Sequence, residues 1–208
     1  MKQKRKREVK NMDFTTVYAL CCFFLPGAVW MVARRKHLGG GRQGALHVAW
    51  SLIFMLYGFL AVYVTAGIGT VWDLLANKGL DDSINLIPLA EMDWLGYVLN
   101  IFMFMPLGFL LPLIWKSFRQ ARKTVLFGFL MSLSIEVCQL FCFRTTDIDD
   151  LIMNTLGSFF GFLCWKLLKH IFPQAGEQAT DSGKAEPWVY LFGGILGIVL
   201  LYNWRWLY

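Results

Sequence analysis

Six stretches of this chain stay apolar for about the length of a membrane crossing, and its charges lie almost entirely between them: 14–33, 45–72, 95–115, 124–143, 151–168 and 188–207. A hydrocarbon core of roughly 30 Å takes about 20 helical residues. Inside it, backbone polar groups must find partners within the protein. The pattern therefore predicts an all-α, polytopic transmembrane helix bundle with five spans plus an N-terminal apolar segment. Charged residues make up 16% of the chain, against about 25% in a soluble domain. The net charge of +6 does not indicate nucleic acid. Six of the twenty basic residues fall in "MKQKRKREVK", and most others lie in two short loops, where they read as topology determinants or contacts to anionic lipid.

Loop charge sets the expected orientation. Loop 34–44 carries Arg34, Arg35, Lys36 and Arg42 without an acid, and loop 116–123, "KSFRQARK", carries four basic residues without an acid. Both are expected in the cytoplasm. Loop 73–94 sets Lys78 against Asp73, Asp81, Asp82, Glu91 and Asp93, so it and loop 144–150 are expected outside. The first segment fits less well, because basic residues flank both of its ends. Pro26-Gly27 near its middle leaves two readings open, a sixth span or a re-entrant hairpin. Arg34-Arg35-Lys36 stands where a signal-peptide cleavage site would need small residues, so the segment is expected to stay attached. The chain divides into 1–44 (basic N-terminus, first segment and loop), 45–172 (membrane domain), 173–187 (polar linker) and 188–208 (C-terminal helix). Five cysteines, odd in number and without a CxxC, read as small buried hydrophobes.

Polar residues inside spans are costly and need partners. Asn100, Glu136, Gln139 and Asn154 sit on three segments that run in alternating directions, yet all fall roughly 6–10 Å below the same expected surface at about 1.5 Å per residue. Ser132, Glu136, Gln139 and Phe143 share one helix face, and Asp147, Asp150 and Asn154 share another that continues through Gly157 and Gly161. Asp149 is expected to point toward the rim. Gly157 and Gly161 form a GxxxG pair suited to close helix packing. The bland account of the acidic run is an Asp147 cap, with Asp149 and Asp150 paired to Arg144. Glu136 reads either as part of a structural polar knot or as part of a ligand or proton-handling site.

Four motifs then carry a family resemblance: "NLIPL" (85–89), "NIFMFMPLGFLLP" (100–112), "SLSIEVCQLF" (132–141) and "RTTDIDDLIMNTLGSFFG" (144–161). In this order and spacing, residues 45–172 resemble the VanZ-like family of bacterial membrane proteins, associated with resistance to the glycopeptide teicoplanin. The resemblance transfers to Asn85, Pro88, Asn100, Pro106, Gly108, Glu136, Gln139, Arg144, Asp147, Asp149, Asp150, Asn154 and Gly157. It implies a cell-envelope role and brings no established reaction. Pro106 and Gly108 also read as a kink and a packing surface.

An acidic and amide pocket at the lipid–water boundary suits an amphiphilic or lipid-linked ligand, with membrane lipids, a lipid-linked cell-wall precursor or a glycopeptide as expected partners. The ligand-binding candidates are Asn85, Asn100, Glu136, Gln139, Arg144, Asp147, Asp149, Asp150 and Asn154. The alternative is a small intramembrane enzyme using Glu136 with Asp147 or Asp150 for acid–base chemistry. A transporter is less favoured, because no inverted repeat appears and the polar layer is confined to one side. No cofactor is expected. Asp147, Asp149 and Asp150 form only a weak divalent-cation signal.

Overall fold

The computed structural model describes residues 2–34, 41–65, 84–85, 87–89, 93–141, 146–174 and 184–202. Its helices are α1 (Lys2–Ala33), α2 (Gly41–Thr65), α3 (Trp94–Ile114), α4 (Ala121–Phe141), α5 (Ile148–Ile171) and α6 (Glu186–Leu201). Two-residue strands β1 (Ile84–Asn85) and β2 (Thr146–Asp147) pair in parallel. Among the described residues, four helical segments are long and apolar enough to cross a membrane: Thr16–Ala33, Gly41–Thr65, Trp94–Ile114 and Ile148–Ile171. α6 is shorter and begins at Glu186, two residues before the apolar run, with a π turn at Val189–Gly193.

The helix ends follow from local chemistry. Asp93 caps α3 by accepting from the Gly96 amide at 3.1 Å, and Asp147 caps α5 by accepting from the Asp149 amide at 2.9 Å. Asp149 and Asp150 occupy the first turn of α5, and Lys169 and His170 the last, in accord with the helix dipole.

α3 and α5 lie side by side and run in parallel. A side chain at Gly157 would strike the Ile101 carbonyl, one at Gly161 the Met105 carbonyl, and one at Gly108 the Ser158 carbonyl. Glycine on both helices therefore lets the backbones touch. α4 closes against α5 where Gly128 meets the Ser158 side chain. The Tyr57 hydroxyl of α2 donates to the Met103 carbonyl of α3 at 2.8 Å.

α1 corrects the hairpin alternative, because the helix continues through Pro26 without reversing. A side chain on Gly193 or Gly197 of α6 would meet the Pro26 ring, so the ring packs on a glycine face instead of breaking the chain's course. At the far end Thr16 Oγ1 lies 3.0 Å from Tyr63 Oη, and Tyr18 donates to the Leu201 carbonyl at 2.8 Å. α1 thus runs antiparallel to both α2 and α6.

The end of the bundle that holds Lys116 and Arg119 contains a buried polar network. Glu186, at the start of α6, is 1% exposed. Its carboxylate lies 3.0 and 3.1 Å from His47 Nε2, accepts from Trp115 Nε1 at 2.8 Å, and accepts from the Tyr190 hydroxyl at 2.6 Å. A carboxylate only accepts, so Nε2 is the protonated nitrogen facing it. A buried charge persists when it is fully hydrogen-bonded. This one ties α2, the end of α3 and α6 together.

Two stability predictions follow for chemical or thermal unfolding in detergent. Gly161→Val should destabilise by about 1–3 kcal/mol through overpacking, whereas Leu167→Ala on an exposed face should stay within about 0.5 kcal/mol. Glu186→Ala should cost about 3–5 kcal/mol, since it strips a buried network of its charged partner, and Tyr190→Phe about 0.5–1.5 kcal/mol.

Candidate functional site

At the opposite, acidic end, α3, α4 and α5 converge on a layer of carboxylates and amides. On α4, Ser132, Glu136 and Gln139 share the expected face and are all buried, Glu136 at 4% and Gln139 at 7% exposure. On α5, Asn154 is 2% exposed and Asp150 is half-buried one turn nearer the end. On α3, Asn100 is also half-buried.

The contacts show how this level is assembled. Asn100 Nδ2 donates to Asp150 Oδ1 at 2.5 Å. Asn154 Nδ2 lies 3.0 Å from Ser132 Oγ, and Gln139 Nε2 donates to the Thr65 carbonyl at the end of α2 at 3.3 Å. Glu136 Oε2 accepts the Asp147 amide at 3.2 Å, joining α4 to the start of α5. Gln139 Oε1 and Asn154 Oδ1 are buried acceptors without a hydrogen-bond partner among the described residues.

A lid segment crosses this end. The strand pairing aligns Asn85 with Asp147, and Asn85 Nδ2 donates to Asp147 Oδ2 at 3.4 Å. Asn85 Oδ1 also accepts the Ile87 amide at 3.2 Å, a local turn bond. Leu89 adopts a positive φ of 60°, which its side chain disfavours. Asp149 holds that residue: its oxygens accept the Leu89 amide at 2.9 and 3.0 Å, and the Tyr97 hydroxyl donates to it at 2.7 Å.

Asp149 corrects an expectation. Helical spacing alone put it toward the rim, yet it is 1% exposed, because the 87–89 segment and Tyr97 cover that side of α5. Tyr97 was visible only as a residue one turn before Asn100 on α3, and nothing local marked its partner. Sequence reasoning also missed His47, Trp115, Glu186 and Tyr190 as a cluster. Glu186 read as linker, and its pairing with His47 spans 139 positions. Arg144 and Phe143 lie outside the described residues, as do residues 175–183 of the linker. Among the described residues no three His, Cys, Asp or Glu side chains are grouped to hold a metal ion. Pro106, Gly108, Gly157 and Gly161 belong to the α3–α5 contact and its flanks.

Fold and site together define a helical multi-pass membrane protein that keeps a carboxylate–amide layer within one end of its bundle. A family model described as VanZ/LLP1 matches residues 49–169, more than half of the 208 residues. The chain belongs to that family. Protein VanZ of Enterococcus faecium is 33% identical over 126 residues, covering 59% of this chain and 71% of that protein. No solved structure is matched.

The Asp149 anchor has a measurable consequence. In Asp149→Ala, hydrogen exchange at the Leu89 amide should accelerate by roughly tenfold or more, the loss expected for a charge-assisted bond. Mass-spectrometric exchange of the 84–97 peptide would show this, with the α4 peptides unchanged.

Proposed function

We propose that this protein is a bacterial cell-membrane protein that binds an amphiphilic or lipid-linked envelope ligand in the acidic-end polar layer and thereby lowers susceptibility to glycopeptides such as teicoplanin. The observation that carries this reading is the pair of buried acceptors, Gln139 Oε1 and Asn154 Oδ1, left without partners beside Glu136. Buried polar atoms in hydrocarbon are normally satisfied, so orphans on either side of Glu136 support a partner molecule there. Leu95, Leu99 and Phe102 form an exposed apolar face next to Asn100, which suits a ligand with a hydrocarbon part.

In this reading the loops 34–44 and 116–123 face the cytoplasm and the layer opens outside. α2 to α6 supply five spans and α1 the sixth.

The alternative, an intramembrane enzyme, draws support from Glu136 lying against the Asp147 amide, next to further carboxylates. One experiment addresses both. Cells expressing the wild-type chain should show a raised inhibitory concentration of teicoplanin. Glu136→Gln and Asn154→Ala, at equal membrane abundance, should return it to the vector level. Unchanged envelope lipids by mass spectrometry favour binding, and a lipid species present only with wild type favours the enzyme. Equal susceptibility of wild type, variants and vector would refute the proposed role.

A further inference from the structure

We propose that the basic end of the α3–α5 pair is a second site, which holds the phosphate of an anionic phospholipid against Trp165, Arg119 and Lys169. It lies at the opposite end from the carboxylate–amide layer and does not depend on how that layer is read. The first observation is a buried donor. Trp165, one turn beyond Gly161 on α5, is 4% exposed, and its indole Nε1 has no hydrogen-bond partner. An indole N–H only donates, so what it lacks is an acceptor. A tryptophan near a membrane boundary ordinarily turns that N–H toward the headgroups or a protein acceptor.

The second observation is a pair of cations on the same ring. Arg119 Cζ, in the turn after α3, lies 5.7 Å from the Trp165 ring centroid. Lys169 Nζ, one turn further along α5, lies 5.6 Å from it. Both side chains are half-buried. Arg119 Nε also donates to the Pro112 carbonyl at 3.5 Å, which holds the guanidinium against the end of α3. Attraction to the ring face accounts for where the two cations rest. It does not answer the indole N–H, which lies in the ring plane at its edge.

A phosphate answers all three groups. Its oxygens accept from the indole, and its bonds to guanidinium and ammonium are charge-assisted. To reach the indole it has to draw Arg119 or Lys169 outward over the ring, a motion that their flexible stems allow. The flanking surface favours a lipid as the source. Phe159, Leu163 and Lys166 follow one face of α5 at i, i+4 and i+3 spacing. Phe159 and Leu163 are exposed, and Lys166 is exposed at the end of their stripe. An acyl chain laid along Phe159 and Leu163 would leave its phosphate level with Lys166 and Lys169.

The test uses the full chain in detergent, titrated with phosphatidylglycerol or phosphatidylcholine of the same acyl chains, with bound lipids counted by native mass spectrometry. One phosphatidylglycerol should bind saturably, tighter than phosphatidylcholine by about tenfold or more. Trp165→Phe, which keeps a ring and removes the N–H, should weaken it by about fivefold or more, and Lys169→Gln by about tenfold. Lys123→Gln, an exposed cation at the start of α4, should stay within about twofold. Should Trp165→Phe fail to fold, Lys169→Gln against Lys123→Gln carries the comparison. Phosphatidylcholine binding as tight as phosphatidylglycerol would overturn the proposal, as would a folded Trp165→Phe that binds like wild type. So would a loss in Lys123→Gln as large as in Lys169→Gln, which would mean diffuse attraction to a basic surface. Displacement of the lipid by equimolar inorganic phosphate would keep phosphate recognition and overturn the lipid as its source.

Discussion

Backbone contact between α3 and α5 sets the level of everything else in this molecule. Gly157 and Gly161 admit the Ile101 and Met105 carbonyls, and Gly108 admits that of Ser158. Ile101–Gly157 and Met105–Gly161 keep one offset along the two parallel helices. Gly108–Ser158 and Asn100–Asp150 keep another. A slip of a single residue along either helix would drive a side chain into a carbonyl. The same contact that excludes such a slip brings Asn100 to Asp150. Register and site chemistry have one cause, and it is the absence of a Cβ at three positions.

The start of α5 converts that register into a closed end. Three consecutive functions fall on one turn: Asp147 caps the helix, Asp149 pins the lid at Leu89, and Asp150 meets α3. Asp147 also offers its amide to Glu136 on α4. Carboxylates are favoured there by the helix dipole, so the charge that builds the acidic layer also stabilises the helix that carries it.

Much of this was legible in the sequence because it obeys local periodicity. The shared face of Ser132, Glu136 and Gln139 and the Asp147 cap both follow from 3.6-residue winding. Asp149 was misplaced because its burial depends on a covering segment sixty positions earlier, which no helical wheel includes. Pro26 left two readings open for the same reason. A proline in isolation suggests a break, and only the glycine face of α6 shows where its ring fits. The Glu186 network was invisible because it joins residues from opposite ends of the chain. Its acid stood in what read as a linker.

The two ends of the bundle bury polar groups of different kinds. At the basic end the Glu186 carboxylate meets an imidazole, an indole and a phenol, and such a cluster holds helices together. His47, Glu186 and Tyr190 all lie outside the residues matched by the family model, as do α1 and α6, which pack on each other through Gly194 and Gly197 against Phe23 and Cys22. The acidic layer from Asn100 to Asn154 lies wholly inside the match and keeps unanswered acceptors at Gln139 and Asn154. Those acceptors are what the proposed ligand reading of this end rests on.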